Sequence, residues 1–189
     1  MILNRHHLSI NDQGELDLPP AIQPMWQYWQ ALRKNDQSII PAKSAISIQG
    51  LKGILPGIVI SERIDEKTIT IRLAGSRVED SVGQSLAGVN QISLSPANQH
   101  EGIQAIYTSV FAKPCGFHIT EELRLRGGRK AHLYALVLPL WDEDGNARFT
   151  IGHYVFTGAG YDDGQSRAAI EHRQIDVFGY IDLGFGLPD

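Results

Sequence analysis

Between Gly116 and Phe156 the chain reads as three strands in succession, and no other stretch limits its fold so closely. Gly116–Leu125 has Phe117, Ile119, Leu123 and Leu125 at even spacing, the period of a half-buried strand. Gly127-Gly128 then supplies the positive φ of a tight hairpin. Lys130–Trp141 is the longest apolar strand, Asp144-Gly145 marks a second turn, and Arg148–Phe156 returns. Three strands joined by two short turns form an antiparallel meander.

Two earlier strands complete the sheet. Ile58–Glu62 and Thr68–Leu73 flank Asp65-Glu66-Lys67. In the second of them Ile69, Ile71 and Leu73 point one way, and Thr68, Thr70 and Arg72 the other. The segment from Ala74 to Gly88, punctuated by Gly75, Gly83 and Gly88, reads as small helical turns. Asn98–Phe111 has Ile103, Ile106, Tyr107 and Val110 on one side of a helix. Upstream, Met25, Trp26, Trp29 and Leu32 form the apolar stripe of a helix over Ile22–Lys34. Ser47 is suited to cap a short helix bearing Leu51, Ile54 and Leu55, stopped by Pro56-Gly57. Within the C-terminal part, Gln165–His172 has helix-compatible spacing, and the glycine-rich end shows no clear element.

The expected architecture is therefore α+β: a five-stranded antiparallel sheet with short helices on one face. The expected division is a leader and tryptophan-bearing helix over 1–40, a core over 41–157, and an extension over 158–189.

Composition excludes several classes. A chain of 189 residues should bury roughly 70% of its unfolded surface without staples. The net charge is −4, with a pI near 6.0. Neither favours nucleic acid as a partner. The densest apolar run, Ala135–Trp141, falls far short of the roughly 20 residues that cross a bilayer. Met1–Asp17 lacks the basic start and long apolar run of a signal peptide, so a soluble, cytoplasmic protein is expected. Cys115 is the only cysteine, which rules out an intrachain disulfide.

Several short pieces occur in a fixed order over about residues 22–157. They are Trp26 and Trp29, Pro41-Ala42-Lys43, Leu55-Pro56, and Arg72-Leu73-Ala74-Gly75-Ser76. Gly83-Gln84-Ser85-Leu86-Ala87-Gly88, Leu138-Pro139-Leu140 and Asp144-Gly145 follow. In this order they resemble a family of small bacterial stand-alone PAS-like proteins. The chain departs from the family's pattern at Ala45, Ile48 and Ala87. The resemblance implies a sheet whose inner face and flanking helices enclose a ligand or a packed core. It also implies a sensory role exerted through protein–protein contacts.

Pocket candidates are Leu73, Ile103, Tyr107, Phe111, Phe117, Leu136 and Ile151, with Tyr107 and His153 as polar groups. The alternative is that these side chains close-pack into a dry core. Trp26 and Trp29 would bury against the main body or carry a homodimer interface. A metal site from His118, His132 and Glu122 is conceivable across the Gly127-Gly128 hairpin. No ligand spacing supports it, nor a haem ligand at His100 or His118, so neither metal nor cofactor is expected. Asp142, Asp144 and Asn146 lack the closing Glu of a calcium loop, and a turn explains them; Asp162-Asp163-Gly164 reads the same way. Cys115 and Ser76 have no assignable base, so no catalysis is expected; Ser76 reads as an N-cap. Gly75-Ser76, with Arg72 and Arg77, could bind an anion, although capping explains it better. Arg124, Arg126, Arg129 and Lys130 could dock an acidic partner or form a solvated turn.

The function expected is a non-catalytic sensor that binds a small ligand and acts through an unidentified signalling protein. The alternatives are a small-molecule-binding enzyme or carrier with a shifted residue such as His153 or Glu121, and a structural module with a solid core.

Overall fold

The computed structural model describes residues 10, 15–36, 38–125, 128–158 and 170–188. Helix α1 (Gln23–Asp36) precedes strands β1 (Ile58–Arg63) and β2 (Ile69–Ala74). Helices α2 (Ser76–Val82) and α3 (His100–Ala112) lead into β3 (Cys115–Leu125), β4 (Lys130–Trp141) and β5 (Ala147–Gly158). A further strand, β6 (Ile170–Asp182), closes the series. The strands form one antiparallel sheet in the order β2-β1-β5-β4-β3-β6.

The five expected strands are all present and the fold is α+β and PAS-like. The sixth strand corrects the reading of the C-terminal extension. β6 pairs with β3 from Cys115–Asp182 to Leu125–Ile170. It is an edge of the same sheet, and residues 170–172, expected to be helical, belong to it. The rest of the expected 165–172 helix lies outside the described residues, as does Asp162-Asp163-Gly164.

Helices cover both faces. Along β4, Leu136, Leu138 and Leu140 pack in a cluster with Met25, Trp26 and Trp29 of α1. The alternate residue Val137 packs with Tyr107, Val110 and Phe111 of α3, and Leu133 joins Leu123 and Leu125. This two-sided burial is why β4 is a continuous apolar run and does not alternate. No helix among the described residues is long and apolar enough to cross a membrane.

The tryptophans are therefore core residues of their own chain, and the dimer-interface reading is corrected. Trp29 is 0% exposed and Trp26 3%. They stack at 5.8 Å, and the Trp29 indole N–H donates to the Pro139 carbonyl at 3.1 Å. An isolated helix of this length is marginal in water, so burial against β4 is what holds α1.

Several of the ordered motifs meet in space. Leu55-Pro56 lies in a 3-10 turn (Leu55–Gly57) against Gly75. A Cβ on Gly75 would run into the Leu55 and Pro56 backbone, and the Gly75 amide donates to the Ile58 carbonyl at 2.7 Å. We expect Gly75→Ala to cost about 3 kcal/mol in urea unfolding, because backbone cannot yield as a side chain does. Gly83 ends α2 at φ 82 and Gly88 turns at φ 84, with Leu86 between them wholly buried. Gly75 occupies the N-cap position of α2 without a side-chain bond, so Ser76 begins the helix and does not cap it. Residues 48–54 form turns, not the expected helix. Ser47 still accepts the Gly50 amide at 3.1 Å, and two glycines in the span, Gly50 and Gly53, explain the failure to propagate.

Candidate functional site on the α3 face

Four polar side chains converge on the α3 side of the sheet. β1 contributes Ser61, a 3-10 turn (Gln91–Leu94) contributes Gln91, α3 contributes Tyr107, and β5 contributes Tyr154. The Ser61 hydroxyl donates to Gln91 Oε1 at 2.6 Å, and Gln91 Nε2 donates to the Tyr154 hydroxyl at 2.7 Å. The Tyr107 hydroxyl lies close enough to Tyr154 and Gln91 for both to influence its phenol. Burial pushes the Tyr107 phenol well above its ordinary pKa and raises that of Tyr154, so both stay neutral.

The walls are apolar. Phe117 meets Tyr107 edge-on at 5.8 Å and stacks on Phe178 at 6.0 Å. The Tyr154 ring lies over Gly152, where a Cβ would sit 2.7 Å from it. Tyr154 touches three apolar clusters on this face and is half-buried. Nearby, β6 supplies Arg173, which pairs with Glu121 of β3 at 3.0 Å. This ion pair lies close enough to influence the Tyr154 phenol.

Of the pocket candidates, Tyr107, Phe111 and Phe117 are buried on this face, and Ile103 packs beside them. Leu136, Ile151 and Leu73 are on the other face, in or against the α1 cluster, and are corrected. The reason is strand parity: Phe117 pairs with Val137, so Leu136 and Ile151 point away. Sequence reasoning passed over Ser61, Gln91, Tyr154 and Arg173. Tyr154 was legible by counting two from Gly152, but Gln91 and Arg173 came from segments without strand patterning.

His153 also belongs to the opposite face, in one cross-strand row with Ile58 and Leu136. It is 6% exposed, and its Nδ1 is buried without a hydrogen-bond partner among the described residues. Desolvation, helped by the Arg77 charge, pulls its pKa from 6.5 to about 4. Below pH 6.5 the unfolded chain takes up a proton that the folded chain refuses. Stability is therefore full above that pH and falls as pH drops toward 4. The loss should reach about 3 kcal/mol. Urea unfolding from pH 7 to pH 4 should show this slope, and His153→Gln should remove that part of it.

The remaining candidates do not assemble. His118 pairs in register with Leu136 and Gly179, whereas His132 pairs with Glu122 and Thr157. The two histidines are four positions apart along β3, about 13 Å. Among the described residues no group of three metal-binding side chains occurs. Asp142 Oδ1 accepts the Asp144 and Asn146 amides and so stabilises the β4–β5 turn. Cys115 is buried, and desolvation first, then the Asp182 charge, pushes its thiol up to about 12. Arg72 pairs with Glu62, and Lys130 and Arg124 pair with Glu122. Arg126 lies outside the described residues.

Comparison with known proteins fits this geometry. A family model described as PAS domain matches residues 18–155. The PAS domain of a Colwellia psychrerythraea protein is 13% identical; the alignment covers 59% of this chain and 98% of that one, with a TM-score of 0.42. The PAS domain of Bordetella pertussis BvgS is 20% identical, covering 61% and 89%, at a TM-score of 0.40. VqmA of Vibrio cholerae, solved with ligand and DNA, is 15% identical, covering 59% of this chain and 51% of that one, at 0.45. No curated protein matches. With the PAS match extending over most of its length, and the sheet order and flanking helices as described, this chain belongs to the PAS domain family.

Proposed function

We propose that the chain is a non-catalytic sensory domain whose α3 face binds a small uncharged ligand. The observation that carries this is the convergence of Ser61, Gln91, Tyr107 and Tyr154 among apolar side chains. A few convergent polar groups in an apolar concavity are what a small-molecule site requires. All four are neutral, and Glu121 and Arg173, the charges that act on Tyr154, pair with each other. A charged ligand would lose its hydration without a partner, so the fitting class is an apolar ring or chain bearing a hydroxyl, carbonyl or amide. In this reading the domain works in the cytoplasm and its output passes by contact to a signalling protein, as a shift in population.

The enzyme or carrier reading gains nothing from His153, because that side chain faces away from the polar set. The solid-core reading has one supporting observation: three of the four polar groups, Ser61, Gln91 and Tyr154, already bond in a chain. Native mass spectrometry of the protein purified from its own cell type separates the two. A retained small mass, lost in Gln91→Leu, supports the sensor; a bare chain that also binds no uncharged fragment favours the solid core.

A further inference from the structure

We propose that a cleft beside the β4–β5 turn docks a basic segment of a partner protein, with an arginine in the cleft and a neighbouring apolar side chain on its rim. Three stretches of chain meet here. Residues 38–45 are tied to the end of β4, where the Trp141 amide donates to the Pro41 carbonyl at 3.0 Å. Residues 183–188 follow β6, and their Phe185 meets Trp141 edge-on at 6.0 Å. Between the first stretch and residues 141–145 lies a cleft of about 480 Å³, with Ser38, Trp141, Asp142 and Glu143 in its lining. The rim is apolar and open: Ile39 is 51% exposed and Phe185 38%. A Cβ built on Gly184 would lie 3.9 Å from Ile39, so Ile39, Phe185 and Trp141 belong to one patch. Large apolar side chains left open together, beside a polar rim, mark a contact surface.

Charge selects the partner. Asp142, Glu143 and Asp144 follow one another, and none of them is in an ion pair among the described residues. By contrast, Glu62 is held by Arg72 and Arg148, Glu121 by Arg173, and Glu122 by Lys130 and Arg124. Residues 38–45 and 141–147 contain one base, Lys43, and its amine sits over the Phe149 ring at 5.8 Å. Asp142 Oδ1 is engaged by the turn amides, whereas Glu143 is exposed at the cleft. Arginine is the side chain that answers this lining. Its planar guanidinium binds a carboxylate through two N–H groups and stacks on an indole, and both partners stand within residues 141–143. An acidic segment, a phosphate or an anionic membrane would meet like charge instead.

This inference stands apart from the ligand reading, because no residue of the α3-face polar set lines the cleft. The test is selection of a phage-displayed library of random heptapeptides on the full chain. Selected sequences should be rich in arginine next to leucine, isoleucine or phenylalanine. Made as capped peptides, they should bind Glu143→Lys roughly tenfold more weakly, and citrulline in place of the arginine should cost as much. Phe185→Ser should weaken them too, whereas Glu101→Lys, an exposed reversal at the start of α3, should not. All three positions are exposed, and urea unfolding of each variant should match the unmodified chain. Selection of acidic or uncharged sequences, or equal binding to Glu143→Lys, would overturn the proposal. So would a dimer of the chain in sedimentation equilibrium that Glu143→Lys dissociates, because a second copy would then fill the cleft.

Discussion

Trp29→Ala should lower the unfolding free energy by about 4 kcal/mol and leave the association state unchanged. The indole is wholly buried between α1 and β4, and its N–H is bonded to the Pro139 carbonyl. Truncation leaves a cavity and an orphaned acceptor, and both losses add. Urea denaturation with sedimentation on the same sample checks the two parts together. Were Trp29 an interface residue, the monomer would keep its stability and the dimer would dissociate. The first outcome would also place α1 as a structural cover of the sheet.

Phe178→Ala should have a comparable effect, again about 4 kcal/mol in urea unfolding. Phe178 stacks on Phe117 at 6.0 Å and meets Tyr180 edge-on at 5.0 Å, with 2% of its surface exposed. Tyr180 and Ile181 of the same strand are also buried. If β6 were an appendage, removal of one of its rings would cost under about 1 kcal/mol. A loss near the larger figure makes β6 as much a part of the core as β4.

What was legible in the sequence follows physical lines. Alternation in Thr68–Leu73 and the turn residues Gly127-Gly128 and Asp144-Gly145 report local preferences, and five of the six strands came from them. β6 escaped because its bulges at Glu171 and Asp176 break the alternation, and Gly179 and Gly184 read as loop. The helical stripe of α1 was visible, but which surface would cover it depends on β4, more than 100 residues away. Half the pocket candidates failed for a related reason. Tyr107 and Phe117 follow from apolar spacing, whereas Leu136 and Ile151 required the pairing register, which no single strand contains. The polar set joins Ser61 to Gln91 and Gln91 to Tyr154 across 30 and 63 positions, beyond the reach of local patterns.

The ligand reading meets its most direct test in amide NMR spectra recorded while a set of uncharged aromatic fragments is titrated into the full chain. Saturable shifts should concentrate at Ser61, Gln91, Tyr107 and Tyr154 and weaken in Tyr154→Phe. Shifts confined to the α1 face, or none with any fragment, would contradict it.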